Sequence, residues 1–203
     1  LLIEVDYKYN LVINMNNRPN NLSRPNLATP SSIKEIVVTV IFVIAVTALF
    51  DLAIPRSLVD GQSMEPTFQD ADRLVISRLN YLIDRPQYGD IVVFNAVDPR
   101  DAERGIMLIK RVIGLPEDTV EIRNQQVLVN GVMIEEPYIY EACSVFKCQD
   151  ETWNLGEDEY FVMGDNRNHS NDSRVFNAVP FDHIIGQVIL RYWPLSSVGI
   201  ITR

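Results

Sequence analysis

Only two cysteines and two histidines occur in 203 residues. Cys143 and Cys148, with no histidine beside them, are too few for a structural zinc site. Two readings remain for the pair: a local disulfide in an oxidising exterior, or two partly buried free thiols. The chain has no run of lysine and arginine, and its formal net charge is −9. Nucleic acid is therefore not an expected partner. No cofactor motif occurs, so neither a cofactor nor a metal is expected. There is also no internal repeat and no alternation of strands with long helices, which removes solenoids and parallel α/β folds. The length suits one ordinary domain plus an anchor.

Charge is missing altogether from one stretch. Ile36 to Phe50, IVVTVIFVIAVTALF, is apolar on every face and rich in β-branched residues. With Asp51 to Ile54 it reaches about 19 residues, roughly the thickness of a hydrocarbon core. A buried core helix is the competing reading, and a cleaved signal peptide a second one. No small-x-small cleavage site follows cleanly, and the run lies late. Residues 33–55 are read as a single transmembrane anchor. Residues 1–32, rich in Asn, Pro and Ser, read as a flexible tail. Arg18, Arg24 and Lys34 precede the span, whereas Asp51 and Asp60 follow it beside Arg56. Positive residues stay inside, so residues 56–203 are expected outside the cytoplasm.

Beyond Arg56 the chain turns to short runs of Val, Ile, Tyr and Phe. Strands are expected at 73–77, 90–94, 106–113, 119–123, 126–130, 160–163 and 187–193. Asn124-Gln125 and Asn130-Gly131 mark tight turns, and one helical turn is expected at 181–185. The fold class is mainly β, with antiparallel sheets following one N-terminal helix.

Three segments place reactive groups where packing does not ask for them. In Gly61-Gln-Ser-Met-Glu-Pro-Thr67, small turn-forming neighbours can expose the Ser63 hydroxyl beside a backbone N–H. Those are a nucleophile and the start of an oxyanion hole. On its own the segment fits an ordinary serine-capped turn better. In Met107-Leu-Ile-Lys-Arg-Val-Ile113, Lys110 shares a strand face with Leu108 and Val112, while Ile109 and Arg111 take the other. Apolar company disfavours the charged amine and lowers its pKa. Only a neutral amine can take a proton from serine. A lysine snorkelling from a strand edge into water is the commoner alternative. Finally, Met163 to Arg174 packs Asp165, Arg167, His169, Ser170, Asp172 and Arg174 into twelve residues. Asp165 and Asp172 lack the even spacing of a calcium loop. Polar support for a neighbouring catalytic amine fits better.

GQSMEPTF, YGDIVVF, IKRVIGLPEDTVEI and YFVMGDNRNHSNDSR, in this order after one apolar span, resemble the boxes of the type I signal peptidases. The resemblance covers most of residues 57–194. It implies a signal-peptidase-like β domain and a membrane-anchored serine endopeptidase of the plasma membrane. Its partners would be secretory pre-proteins with Ala-x-Ala-type signal peptides and membrane lipid, and it would act as a monomer. Ser63 would be the nucleophile and Lys110 its general base, with Ser170 hydrogen-bonding the amine. Asp172 would support the site by pairing with Arg174, and Asp165 by pairing with Arg111. Met64, Ile109 and Val59 would line pockets for small side chains. Some members carry a serine where this chain has Gly61, so the oxyanion must rely on backbone N–H groups. His169 stands where Asn or Asp is more usual. The short stretch between Lys110 and Asp165 leaves no room for a large additional β domain.

Two rivals remain. His169 beside Ser170 invites a Ser-His-Asp triad, but adjacent residues seldom aim at each other productively. LexA-like repressors share a Ser-Lys pair but need a DNA-binding helix pair where this chain has an apolar span. The rival of another class is a catalytically inactive membrane-anchored β binding module, which would be expected to lack Ser63 or Lys110.

Overall fold

The computed structural model describes residues 30–53 and 56–203. Most of the tail expected at 1–32 lies outside the described residues.

Helix α1, Pro30–Ala53, begins three residues before the end of the expected tail. Proline's fixed φ suits a first helical turn, which accounts for the earlier start. Its 24 residues span about 36 Å. From Ile33 to Leu49 the large apolar side chains are exposed around the whole helix. It has the length and composition of a membrane span over Ser32–Leu49. Such a surface is unfavourable in water and fits a membrane anchor.

The domain that follows is built of β1 (Arg56–Leu58), β2 (Arg73–Ser77), β3 (Ile91–Asn95), β4 (Met107–Gly114), β5 (Thr119–Arg123), β6 (Gln126–Val129), β7 (Val132–Met133), β8 (Glu151–Asn154), β9 (Glu159–Met163), β10 (Val179–Pro180), β11 (Ile184–Trp193) and β12 (Gly199–Ile200). An eight-stranded sheet runs β1-β2-β11-β3-β4-β9-β10, with β12 also on β11. A four-stranded sheet runs β7-β6-β5-β8. Every pairing is antiparallel. Short helices α2 (Asn80–Ile83), α3 (Pro99–Glu103) and α4 (Ser173–Phe176) fill connections. The turn expected at 181–185 is a 3-10 turn over Phe181–His183.

Tight turns sit where their residues tolerate left-handed backbone. Asn124 and Gln125, at φ 50° and 64°, close the β5–β6 hairpin, and Asn130 and Gly131, at 52° and 78°, close β6–β7. This is the backbone that a two-residue hairpin needs.

Strand alternation divides the core. Val93 and Ile91 of β3 pack with Val59, Met64, Phe68, Leu74 and Ile109. Val92 and Phe94 pack on the opposite face with Val112, Tyr160, Val162 and Leu108. A third cluster, under the smaller sheet, contains Ile113, Val120, Ile122, Phe161 and both cysteines. The cysteines are joined as a Cys143–Cys148 disulfide.

One feature of β4 positions the site. β3 pairs with Met107 to Arg111, but β9 pairs with β4 only from Arg111 onward. Among the described residues, the other edge of Met107–Lys110 is therefore unpaired. Such an edge can accept an extended chain as an added strand.

Candidate active site

Ser63 lies in the turn after β1, and its backbone is fixed from the 164–174 segment. The carbonyl of Ser63 accepts from Asn166 N at 3.1 Å, and that of Gln62 accepts from Asn166 Nδ2 at 3.2 Å. Gly61 has φ +96°, a backbone region that favours glycine. A side chain at that position would be strained in this backbone conformation. The turn is anchored further by Gly61 N on Asp70 Oδ1 at 2.9 Å.

Lys110 is 3% exposed, and its Nζ donates to Ser63 Oγ at 2.8 Å and to the Ile109 carbonyl at 2.8 Å. The amine thus folds back along the unpaired strand edge. Burial lowers its pKa to about 8, against the opposing pull of Asp172 and Asp165. Desolvation wins because the amine has lost water, while both carboxylates are already engaged by arginines.

Asp165 is fully occupied. Arg111 Nε and Nη2 reach its two oxygens at 2.9 and 2.8 Å in a buried bidentate pair. Thr67 Oγ1 donates to the same carboxylate, so this pair ties the serine turn to β4 and β9. The Arg111 guanidinium also lies 4.0 Å from the Tyr138 ring centre. Asp172 is gripped by Arg174 through Nε and Nη2, both at 2.8 Å, and accepts from Gly164 N at 3.0 Å. Burial works to raise the Asp172 carboxyl, but Arg174, aided by the Gly164 N–H, outweighs it and holds it below its usual range.

Ser170 differs from expectation. Its Oγ is buried and makes no hydrogen bond of good geometry, to Lys110 or otherwise. The Lys110 amine is instead turned to Ser63 and to the Ile109 carbonyl. Ser170 packs against Gly164, where an added Cβ would meet Ser170 Oγ at 2.3 Å and the Ser63 carbonyl at 2.4 Å. Ser170 therefore stands one backbone thickness from the serine turn. His169 is exposed and lines a different cleft, with Gln62, Glu65 and Tyr140.

Val59, Met64 and Ile109 meet at one cavity of about 150 Å3, whose wall also carries Ser63 and Lys110. Sequence reasoning missed Thr67, Gly164 and Asn166 as parts of the site. Their signal lay in their boxes: a threonine four residues after Ser63, and a glycine and an asparagine flanking Asp165. No group of three or more metal-ligating side chains occurs among the described residues. A serine hydroxyl against a buried amine, at an open strand edge and beside a small apolar cavity, is an arrangement capable of acyl transfer.

Comparison with known proteins identifies the family. A family model described as "Signal peptidase, peptidase S26" matches residues 32–193. A probable signal peptidase I-2 of Synechocystis is 40% identical over 150 residues, covering 71% of this chain and 65% of the relative. A probable signal peptidase I-1 of the same organism is 38% identical, covering 79% and 81%. Signal peptidase IB of Staphylococcus aureus is 32% identical, covering 68% and 78%. The chain thus spans slightly less than two thirds of the first of these relatives. A crystal structure of a signal peptidase I from Enterococcus faecalis is 35% identical with a TM-score of 0.44, covering 51% of this chain and 97% of that one. The chain belongs to the signal peptidase family, peptidase S26.

Proposed function

We propose that this protein is a signal peptidase I that removes N-terminal signal peptides from secreted pre-proteins with a Ser63/Lys110 dyad. The observation that carries the reading is the 2.8 Å contact between Lys110 Nζ and Ser63 Oγ, made by an amine whose pKa burial has brought to about 8. Near that pH a large share of the amine is neutral and can accept the hydroxyl proton.

The steps follow from the geometry. The pre-protein lies extended along the open edge of Met107–Lys110, with small side chains in the cavity of Val59, Met64 and Ile109. Lys110 takes the proton from Ser63, and Oγ attacks the scissile carbonyl carbon. The oxyanion meets the Ser63 backbone N–H, which donates to no acceptor among the described residues. The ammonium then protonates the leaving amine, and the mature chain departs. Water, deprotonated by Lys110, releases the signal peptide from the acyl-enzyme and restores Ser63. Asp165–Arg111 and Asp172–Arg174 hold the two strands and the loop in register.

The proposed topology is a single span with the short N-terminal flank inside and residues 56–203 outside the cytoplasm, in the plasma membrane. Arg18, Arg24 and Lys34 before the apolar run and Asp51 and Asp60 after it support this orientation. Small apolar pockets support Ala-x-Ala-type sequences as substrates. The inactive-module reading finds no support in a site that retains both Ser63 and Lys110. The test is incubation of a pre-protein with the full chain in lipid, with mass measurement of the product. Cleavage after Ala-x-Ala by the parent and none by Ser63→Ala is expected. Equal cleavage by both would overturn the proposal.

A further inference from the structure

We propose that the Cys143–Cys148 disulfide positions the general base through Arg174 and Asp172, so that reducing it reversibly slows acyl transfer. The inference rests on the Ser63/Lys110 reading of the site.

The disulfide closes a short loop, and both sulfurs lie against one guanidinium. Arg174 Nη1 is 3.4 Å from Cys143 Sγ and 3.3 Å from Cys148 Sγ, and it donates to the Lys147 carbonyl at 3.2 Å. The other edge of the same guanidinium makes the two 2.8 Å bonds to Asp172. Asp172 in turn accepts the N–H of Gly164, whose backbone presses on Ser63 and Ser170. A second tie runs in parallel. Ser144 N donates to Asn168 Oδ1 at 2.8 Å, and Asn168 Nδ2 donates to the Ala142 carbonyl at 3.2 Å. The disulfide loop therefore grips the polar segment at Asn168 and at Arg174, on either side of Ser170 and Asp172.

Apart from its cross-link, this loop is closed by Lys147 N and Cys148 N on the Ser144 carbonyl, at 3.0 and 2.9 Å, and by the burial of the two cysteines. Val145 and Phe146 are exposed and contribute little burial. Opening it restores chain entropy that the bond removes. The Lys147 carbonyl and the sulfurs then leave Arg174, and Asp172 keeps a buried charge with a loosened partner, an unfavourable state. The acidic groups around Lys110 are Asp172 and Asp165 on the polar segment and Asp60 on the wall of its cavity. With Arg174 loosened, the Asp172 carboxylate is less compensated and favours the Lys110 ammonium more strongly, so less of the base is neutral, and Gly164 is released from its place against Ser63. A cavity of about 230 Å3 lined by Phe146, Lys147, Ser170 and Arg174 opens this region to solvent.

The redox step is thiol–disulfide exchange. One thiolate of a dithiol attacks a cystine sulfur, and its second thiol displaces the mixed disulfide. Two electrons and two protons pass to the protein as two thiols, and the reductant leaves as a cyclic disulfide.

The test uses the full chain in lipid, oxidised and after treatment with dithiothreitol, with thiols counted by alkylation and mass. Cys143→Ser/Cys148→Ser supplies the opened loop even where the reductant cannot reach the sulfurs. Expected are a kcat at least tenfold lower with KM within twofold, and recovery on reoxidation. Arg174→Ala should lose as much while oxidised, and should lose less than twofold more on reduction, because both act through one contact. The titration midpoint of Lys110, followed by reductive methylation and NMR, should rise by roughly half a pH unit in the opened loop, because Asp172 loses its counter-ion. A merely structural disulfide would lower thermal stability without moving that midpoint. A kcat of the double variant within twofold of the parent, or multiplying losses in Arg174→Ala, would overturn the proposal. Failure of the oxidised parent to cut would count against the dyad, and the Lys110 titration would still decide this inference.

Discussion

Gly164 stands so close to Ser63 that a Cβ on it would come within 2.4 Å of the Ser63 carbonyl oxygen. The contact sets the position of the serine turn from the end of β9, and the polar segment begins there. Gly164→Ala must push the turn or the segment aside. Overpacking of this kind costs about 1–3 kcal/mol. A fall in kcat of at least tenfold is expected, since the hydroxyl must stay within hydrogen-bond reach of Lys110. Urea unfolding and steady-state kinetics read the two effects. Unchanged kinetics would mean that Gly164 does not set the serine's position.

The Arg111–Asp165 pair predicts a larger stability loss. Both side chains are almost without solvent. Asp165→Ala leaves a buried guanidinium uncompensated and Thr67 without its acceptor, for a destabilisation of about 3–5 kcal/mol. Removing Thr67 alone, as Thr67→Val, should cost about 1 kcal/mol. Denaturant midpoints at constant slope check the ranking. Equal effects would show that the pair is not the stronger tie.

Lys110→Met should abolish cleavage and yet stabilise the fold. The amine's folded-state pKa of about 8 lies below the ordinary value of 10.5. Below pH 8 both states are protonated and the folded state carries the full burial penalty. Between 8 and 10.5 the unfolded state binds more protons, so the parent gains stability as pH rises. Met removes the penalty, for a gain of about 1–3 kcal/mol near pH 7 that shrinks towards pH 10.5. Stability against pH for both proteins is the check. A constant difference across that range would contradict the assigned burial cost.

Much of this was legible in the sequence. Runs of β-branched and aromatic residues bounded by turn residues locate the long strands, because the pleat demands that pattern. β1, β7, β8, β10 and β12 are two to four residues long, too short for alternation to show, and depend on their neighbours for pairing. Ser63 and Lys110 are 47 residues apart, and Asp165 and Asp172 stand farther along; only the ordered boxes suggested that they meet. The close approach at Gly164 and the grip of Thr67 on Asp165 are products of tertiary packing; their boxes mark the residues but not these contacts. The same holds for Lys110, which strand alternation alone would leave on the Leu108 face. Its reach round the open edge of β4 depends on β9 ending its pairing at Arg111.

The proposed function predicts that specificity follows from the cavity of Val59, Met64 and Ile109. Its roughly 150 Å3 suits Ala one and three residues before the cut. Replacing the last Ala of the signal peptide by Leu or Asp should lower kcat/KM at least tenfold, through clash or desolvation worth about 1.4 kcal/mol. Ile109→Ala should enlarge the cavity and narrow the gap between Ala and Leu. A peptide series varied at these two positions supplies the comparison. An unchanged Ala preference in Ile109→Ala would remove that residue from the pocket.

The pH dependence of kcat/KM bears most directly on the dyad, because it reports the ionisation of the free enzyme. A buried Lys110 acting as base predicts a rate that rises about tenfold per pH unit up to a midpoint near 8, as its pKa of about 8 requires. The same profile is expected in His169→Ala, and no measurable rate in Lys110→Ala. A midpoint near the ordinary histidine value of about 6.5, abolished by His169→Ala and kept in Lys110→Ala, would contradict the account.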